Sequence, residues 1–249
     1  DIIVVGQFEG AASLAAVGST SALSQLLVNL FMGLSVGACV CVANGYGARD
    51  DEGVFKVVHT SMTLSIICGV VIAVLGFIFA RPVLQLMDSP EDVIDLSTLY
   101  LKIYFLGCPA TMVYNFGAAI LRSVGDTKRP LYFLIVSGAV NVVLNLFFVI
   151  VVRINGVAGV ALATVISQIL SAVMVVFCLC RSMESYRLRL RHLKIYKEKL
   201  GEILRIGIPA GIQSSLFSIS NIMIQSSVNG FGSAAMAGNS AAASVESFE

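Results

Sequence analysis

The chain has 249 residues, of which 57% are hydrophobic and 12% charged, with a mean hydropathy of +0.90. Soluble domains carry about 25% charged residues, so this composition excludes an ordinary water-soluble protein. The net charge of +1 says little as a total, and the information lies in where the charges fall.

Six stretches contain no charged residue: 23–43, 57–80, 103–121, 130–152, 154–180 and 206–245. A bilayer core of about 30 Å takes roughly 20 helical residues to cross, so each stretch reads as a membrane span. The last is too long for one helix and is divided at Asn229-Gly230 and Gly232. The expected fold is all-α, a polytopic bundle with six crossings and parts of others at both ends. The sequence starts at Asp1 inside an apolar segment and stops at Glu249 early in another, so it is expected to belong to a longer protein. Ser89-Pro90-Glu91-Asp92 reads as a helix start, with acids at its positive end. Pro130 sits in a first turn, where a missing N–H does no harm. Pro109 and Pro209 fall inside spans and are expected to kink or open them.

Thirteen of the sixteen Lys and Arg fall on alternate loops, around Arg49 and Lys56, around Arg122, Lys128 and Arg129, and from Arg181 to Arg205. Cytoplasmic loops retain Lys and Arg, which places these three in the cytoplasm. The opposite side keeps Arg81, Lys102 and Arg153 beside acids such as Asp88 and Asp95. The polar segment 181–201 lacks a nucleic-acid recognition motif. It reads as a linker against anionic headgroups, partly an amphipathic helix through Leu188, Leu190, Leu193, Ile195 and Leu200. This divides the chain into a lobe at 1–180, a linker at 181–201 and the start of a second lobe at 202–249.

Cys39, Cys41, Cys68, Cys108, Cys178 and Cys180 lie within or at the ends of spans in C-x-C spacings, which support neither a disulfide framework nor a zinc site. His59 and His192 stand at loop ends without forming a cluster. No phosphate-binding loop or hydrolase elbow is present. The run at Gly10–Gly18 recurs at 232–240, each preceded by phenylalanine, Phe8 or Phe231. Six helices per repeat would keep both copies in one orientation, which is the plan of a parallel-repeat transporter.

Polar side chains at membrane depth are costly and mark a pathway or a packing contact. Asn141 and Asn145 are four apart and share a helix face, as do Thr164 and Gln168 on the next helix. The Asn pair reads either as cation ligands or as hydrogen-bonded packing, and Thr164 either as a ligand or as a hydroxyl satisfied by its own backbone. Gln213, Ser214, Ser215, Asn221, Gln225, Ser226 and Ser227 give the seventh helix a wet face suited to a cavity between lobes. Asn115 and Asn29 are further cavity candidates. Glu246 is the one acid after Glu202 within reach of membrane depth. Tyr100 and Tyr104 read as interfacial anchors, and Lys102 as a snorkelling cation.

Several of these stretches resemble the multidrug and toxic compound extrusion (MATE) transporters. They are Asp1-Ile-Ile-Val-Val-Gly6, Gly33-Leu-Ser-Val-Gly37, Asn44-Gly-Tyr-Gly-Ala-Arg49 and Leu121-Arg-Ser-Val-Gly-Asp-Thr-Lys-Arg-Pro130. Asn141-Val-Val-Leu-Asn145 and Gly156-Val-Ala-Gly-Val-Ala-Leu-Ala-Thr164 continue the match in order. The resemblance implies a two-lobed antiporter of six plus six helices, a monomer in the bacterial inner membrane, which expels organic cations in exchange for Na+ or H+ and needs no other cofactor. It also implies ion coupling at Asp1, with Asn141 and Asn145 as companions, and the hydroxyl of Thr164 on the next helix would complete an oxygen-lined set of Na+ ligands with them. The substrate cavity would involve Asn115, Gln168, Gln213, Asn221, Gln225 and Glu246. Asn145 stands where some members carry an acid, and no glutamate occurs in the seventh helix between Gly207 and Asn229. A flippase for lipid-linked oligosaccharides, a membrane scaffold and an intramembrane enzyme are the competing readings. The first would need a basic cavity, and the last a catalytic constellation that the sequence does not offer.

Overall fold

The computed structural model describes residues 11–86, 91–152 and 156–229. Asp1 and Glu246, and the second repeat copy at 232–240, lie outside the described residues. Among those described, the regular structure is entirely helical: α1 Ala11–Gly47, α2 Asp51–Leu86, α3 Glu91–Leu106, α4 Cys108–Ser123, α5 Lys128–Leu146, α6 Gly156–Arg181 and α7 Lys197–Asn229. A π-helical turn, Phe147–Val152, prolongs α5, and a single 3-10 turn, Leu190–His192, lies before α7.

Within the described residues, each uncharged stretch falls on one rod of this bundle. Asp51–Pro82, Lys128–Ile150 and Val157–Arg181 are each long and apolar enough to cross a membrane, and α3 with α4, bent by 45°, meets the same test only when the pair is taken as one span. Helices α1 and α7 run for 37 and 33 residues as the other two rods, and of the six expected crossings the described residues show three by length and composition, or four with the bent pair. The bend has a local cause. Pro109 has no N–H to give to the carbonyl one turn earlier, and the N–H of Gly107 turns to Tyr104 O at 2.9 Å. Pro82 and Pro209 lie inside continuous helices, so of the two expected breaks only the one at Pro109 interrupts its rod.

The helix starts are capped from the sequence. Asp50 Oδ1 accepts the N–H of Gly53 at 2.9 Å, with Asp51 and Glu52 in the first turn of α2. Asp126 Oδ1 accepts the N–H of Arg129 at 3.2 Å, after a turn in which Gly125 adopts φ +88°. Helices α1 and α7 meet through glycine. A Cβ on Gly33 would lie 2.1 Å from the backbone N of Gly211, and one on Gly207 would lie 2.8 Å from Leu34 Cα. The Gly33/Gly37 and Gly207/Gly211 spacings of four put these small residues on facing stripes, which lets the two backbones touch.

The main core gathers at the basic end, where Val42, Val57, Phe116, Ile120, Leu121, Leu179 and Ile203 pack together. The three basic loops converge there too. The Tyr46 hydroxyl donates to Glu184 at 2.8 Å, and Arg129 lies 3.6 Å from Cys178 Sγ. At the opposite end Arg81 pairs with Asp95 at 3.4 Å.

Two expectations at the basic end need correction. His59 is not at a loop end: α2 begins at Asp51, so His59 and Thr60 are two turns inside it and fully buried. The segment after α6 forms no amphipathic helix before Lys197. It is a strap from 182 to 196 folded back on the bundle, with Tyr186 and Leu188 buried, and α7 starts at Lys197 rather than beyond Gly201. Buried polar groups in α2 require partners, and the strap's backbone provides them. The N–H of Arg189 donates to His59 Nε2 at 3.1 Å, and the N–H of Tyr196 donates to Thr60 Oγ1 at 3.1 Å. Because Nε2 accepts, the proton of the neutral imidazole sits on Nδ1 and points to Phe55 O at 2.8 Å.

Tyr100 also departs from expectation. It is buried against Val149, Val157, Val160 and Ala161 and stacks on Tyr104 with ring centroids 6.1 Å apart, so it is a core residue rather than an interfacial anchor. Lys102 reaches back over the Phe77 ring at 5.0 Å.

Candidate functional site

Helices α4, α5 and α6 enclose a cleft of about 380 Å³. Thr111, Tyr114 and Asn115 line it from α4, Leu134, Ser137, Gly138 and Asn141 from α5, and Thr164, Ser167, Gln168 and Ser171 from α6. The polar residues follow helical spacing. Ser137, Asn141 and Asn145 are successively four apart, and Thr164, Ser167, Gln168 and Ser171 fall within two turns of one another, so each set forms a stripe.

The stripes are joined by hydrogen bonds. Asn141 Nδ2 donates to Thr164 Oγ1 at 3.4 Å and to Ser167 Oγ at 3.3 Å. Asn145 lies one turn deeper, almost fully buried, and its Nδ2 donates to Asn141 Oδ1 at 3.1 Å. The hydroxyl protons point elsewhere, to carbonyls about one turn earlier. Thr164 donates to Val160 O at 3.0 Å, Ser167 to Thr164 O at 2.8 Å and Ser171 to Ser167 O at 3.1 Å. With their protons engaged, these oxygens present lone pairs to the cleft. Tyr114 closes one side by donating to Pro130 O at 3.0 Å, which ties α4 to α5.

Gln168 is linked to the break in the α3–α4 rod. A Cβ on Gly107 would lie 2.7 Å from Gln168 Oε1, so the glycine leaves room for the amide. That oxygen is buried with no donor against it, an arrangement that calls for a partner.

Every polar side chain lining the cleft is neutral, and no group of three or more His, Cys, Asp or Glu able to hold a metal occurs among the described residues. The cleft can therefore offer hydroxyl and amide oxygens to a hard cation, but its described lining holds no group that exchanges a proton near neutral pH.

Asn115 and Gln168, expected in a substrate cavity, thus share one cleft with Asn141 and Thr164. Gln213 does not join them. It is exposed on α7, which packs chiefly on α1. Asn221 and Gln225 are on α7, but their side chains, like Asp1 and Glu246, lie outside the described residues. Sequence reasoning missed Ser137, Ser167 and Ser171. Their spacing from Asn141 and Thr164 was the available signal.

The MatE family model matches residues 1–147. The chain is 37% identical over 242 residues to the probable multidrug resistance protein YoeA of Bacillus subtilis (strain 168), covering 95% of this chain and 52% of that one. It is 23% identical over 237 residues to the multidrug export protein MepA of Staphylococcus aureus (strain MRSA252), again covering 95% and 52%. The chain thus spans about half the length of the curated relatives it matches. Among solved structures, an inward-facing multidrug resistance MATE family transporter of the MOP superfamily superposes with a TM-score of 0.79 at 30% identity, over 90% of this chain and 51% of that one. A MOP superfamily transporter from Pyrococcus furiosus superposes with a TM-score of 0.88 at 28% identity, over 98% and 54%. The all-helical fold, the family match over more than half of the sequence and these relatives agree, and the chain belongs to the MatE family, the multidrug and toxic compound extrusion transporters.

Proposed function

We propose that this chain supplies the ion-coupling half of a secondary antiporter that exports amphipathic organic cations from the cell in exchange for Na+. In this reading residues 1–180 form the first lobe, the strap and the start of α7 connect it to a second, and the transporter works as a monomer in the cell membrane. The observation that carries the proposal is the uncharged, oxygen-lined cleft centred on Asn141, set among otherwise apolar helices. Na+ is a hard cation that prefers oxygen ligands, and amide and hydroxyl oxygens suit it. A half-turn of the Asn141 amide brings Oδ1 toward Thr164 and Ser167, and the Asn145 amide must turn with it, because its Nδ2 otherwise loses the oxygen to which it donates at 3.1 Å. Asp1 is the candidate counter-charge. A lipid-pyrophosphate flippase calls instead for a basic cavity, and among the described residues no Lys or Arg lines this cleft.

The test uses the full-length protein in cells stripped of their own efflux pumps, with a fluorescent organic cation as substrate. Accumulation should fall on expression and recover when a sodium ionophore collapses the Na+ gradient. Asn141→Leu should slow Na+-driven efflux by about tenfold to a hundredfold, the effect of losing one hydrogen-bond-like contact to a charge. Efflux that ignores the Na+ gradient, whether it follows ATP or the H+ gradient, would refute the proposal.

A further inference from the structure

A second groove, of about 560 Å³, runs along the outside of the α4–α6 contact, on the other flank of α6 from the polar cleft. Pro109, Val113, Val173 and Val176 line its length, and it ends at Cys180 and Leu190. Among the described residues no charged or amide side chain lines it. Val173 and Phe177 on its wall are each 58% exposed, so the groove opens to the surroundings of the bundle rather than into the core.

Its length and ends indicate the occupant. From Ile169 to Cys180, α6 rises about 16 Å, close to half of a bilayer core of about 30 Å. One end lies at the break before Pro109, and the other at the basic loops. There Arg181 lies over the Phe177 ring at 4.9 Å, and Arg191 follows Leu190 in the strap. Residues 182–196 carry Arg187, Arg189, Arg191 and Lys194 against one acid, Glu184, which is engaged by the Tyr46 hydroxyl at 2.8 Å. An apolar slot one leaflet long, ending at arginines that make no ion pair among the described residues, matches an acyl chain joined to an anionic headgroup. We propose that this groove binds one anionic phospholipid of the cytoplasmic leaflet, with an acyl chain along α4 and α6 and its phosphate at Arg181 and Arg191.

The test is native mass spectrometry of the full-length protein in detergent, titrated with phosphatidylglycerol or with phosphatidylethanolamine of the same acyl chains. The wild type should retain one phosphatidylglycerol with roughly tenfold preference, and the double change Arg181→Gln with Arg191→Gln should remove that preference. Val173→Trp should fill the slot and abolish retention of both lipids. Val143→Trp, at a similarly exposed position of α5 outside the groove (64% exposed), should leave retention unchanged. Equal retention of the two lipids by the wild type, undiminished retention by Val173→Trp, or displacement of the lipid by an organic-cation substrate would overturn the assignment. Lipid retention is read without transport, so this result stands apart from that of the efflux experiment.

Discussion

In the full-length protein, Asn145→Asp is expected to turn a pH-indifferent requirement for Na+ into a pH-dependent one. Asn145 is almost fully buried and donates to Asn141 Oδ1 at 3.1 Å, within the hydrogen-bonded group that includes Thr164 and Ser167. A carboxyl of the same shape can keep that donor only while protonated. Once ionised it offers a negative oxygen to the cation instead. Na+ therefore binds the ionised form more tightly, and the Na+ concentration for half-maximal transport should fall as pH rises, by about tenfold per pH unit across the titration. The wild-type requirement should stay flat from about pH 6 to 8, since among the described residues no group with an ordinary pKa in that interval lines the cleft. A variant profile as flat as the wild type's would place the coupling ion elsewhere.

Gly207→Leu is expected to have the largest effect on stability. The position is buried, and a Cβ there would already stand 2.8 Å from Leu34 Cα and 3.0 Å from Gly33 O, both backbone atoms that cannot rotate away. A leucine requires α1 and α7 to separate, at a cost of about 3 kcal/mol or more, the upper end of overpacking effects. Melting of the purified protein should drop by several degrees, or the variant should fail to accumulate in the membrane. Gly201→Ala, on the same helix but exposed with nothing within 4 Å of a Cβ, should be neutral or gain up to about 1 kcal/mol from helix propensity. Wild-type melting of Gly207→Leu would show that α1 and α7 do not meet as described.

The rods were legible because membrane spans are set by composition over long windows, and an uncharged run of about 20 residues has few alternatives in a bilayer. The grouping of the basic loops was legible for the same reason. Asn141, Asn145, Thr164 and Gln168 stood out because amides and hydroxyls at four-residue spacing are unusual at membrane depth. Ser137, Ser167 and Ser171 did not, since a serine that donates to its own helix backbone is ordinary in a span, and its part in a cleft depends on which helix it faces. The strap around Arg189 was hidden for a different reason. Its course is governed by His59 and Thr60, whose need for partners emerges only once α2 is seen to begin at Asp51. The glycine stripes of α1 and α7 each carried a spacing of four, but their pairing joins residues about 170 positions apart, which no local pattern reports.

The central claim is that Na+ is held by the neutral oxygens around Asn141. Equilibrium binding of radioactive sodium to the purified full-length protein tests it most directly, with wild type and Asn141→Leu compared at equal melting temperature. Saturable binding by the wild type, weakened about tenfold or more in Asn141→Leu, is the expected result. Sodium bound equally well by both proteins would contradict it.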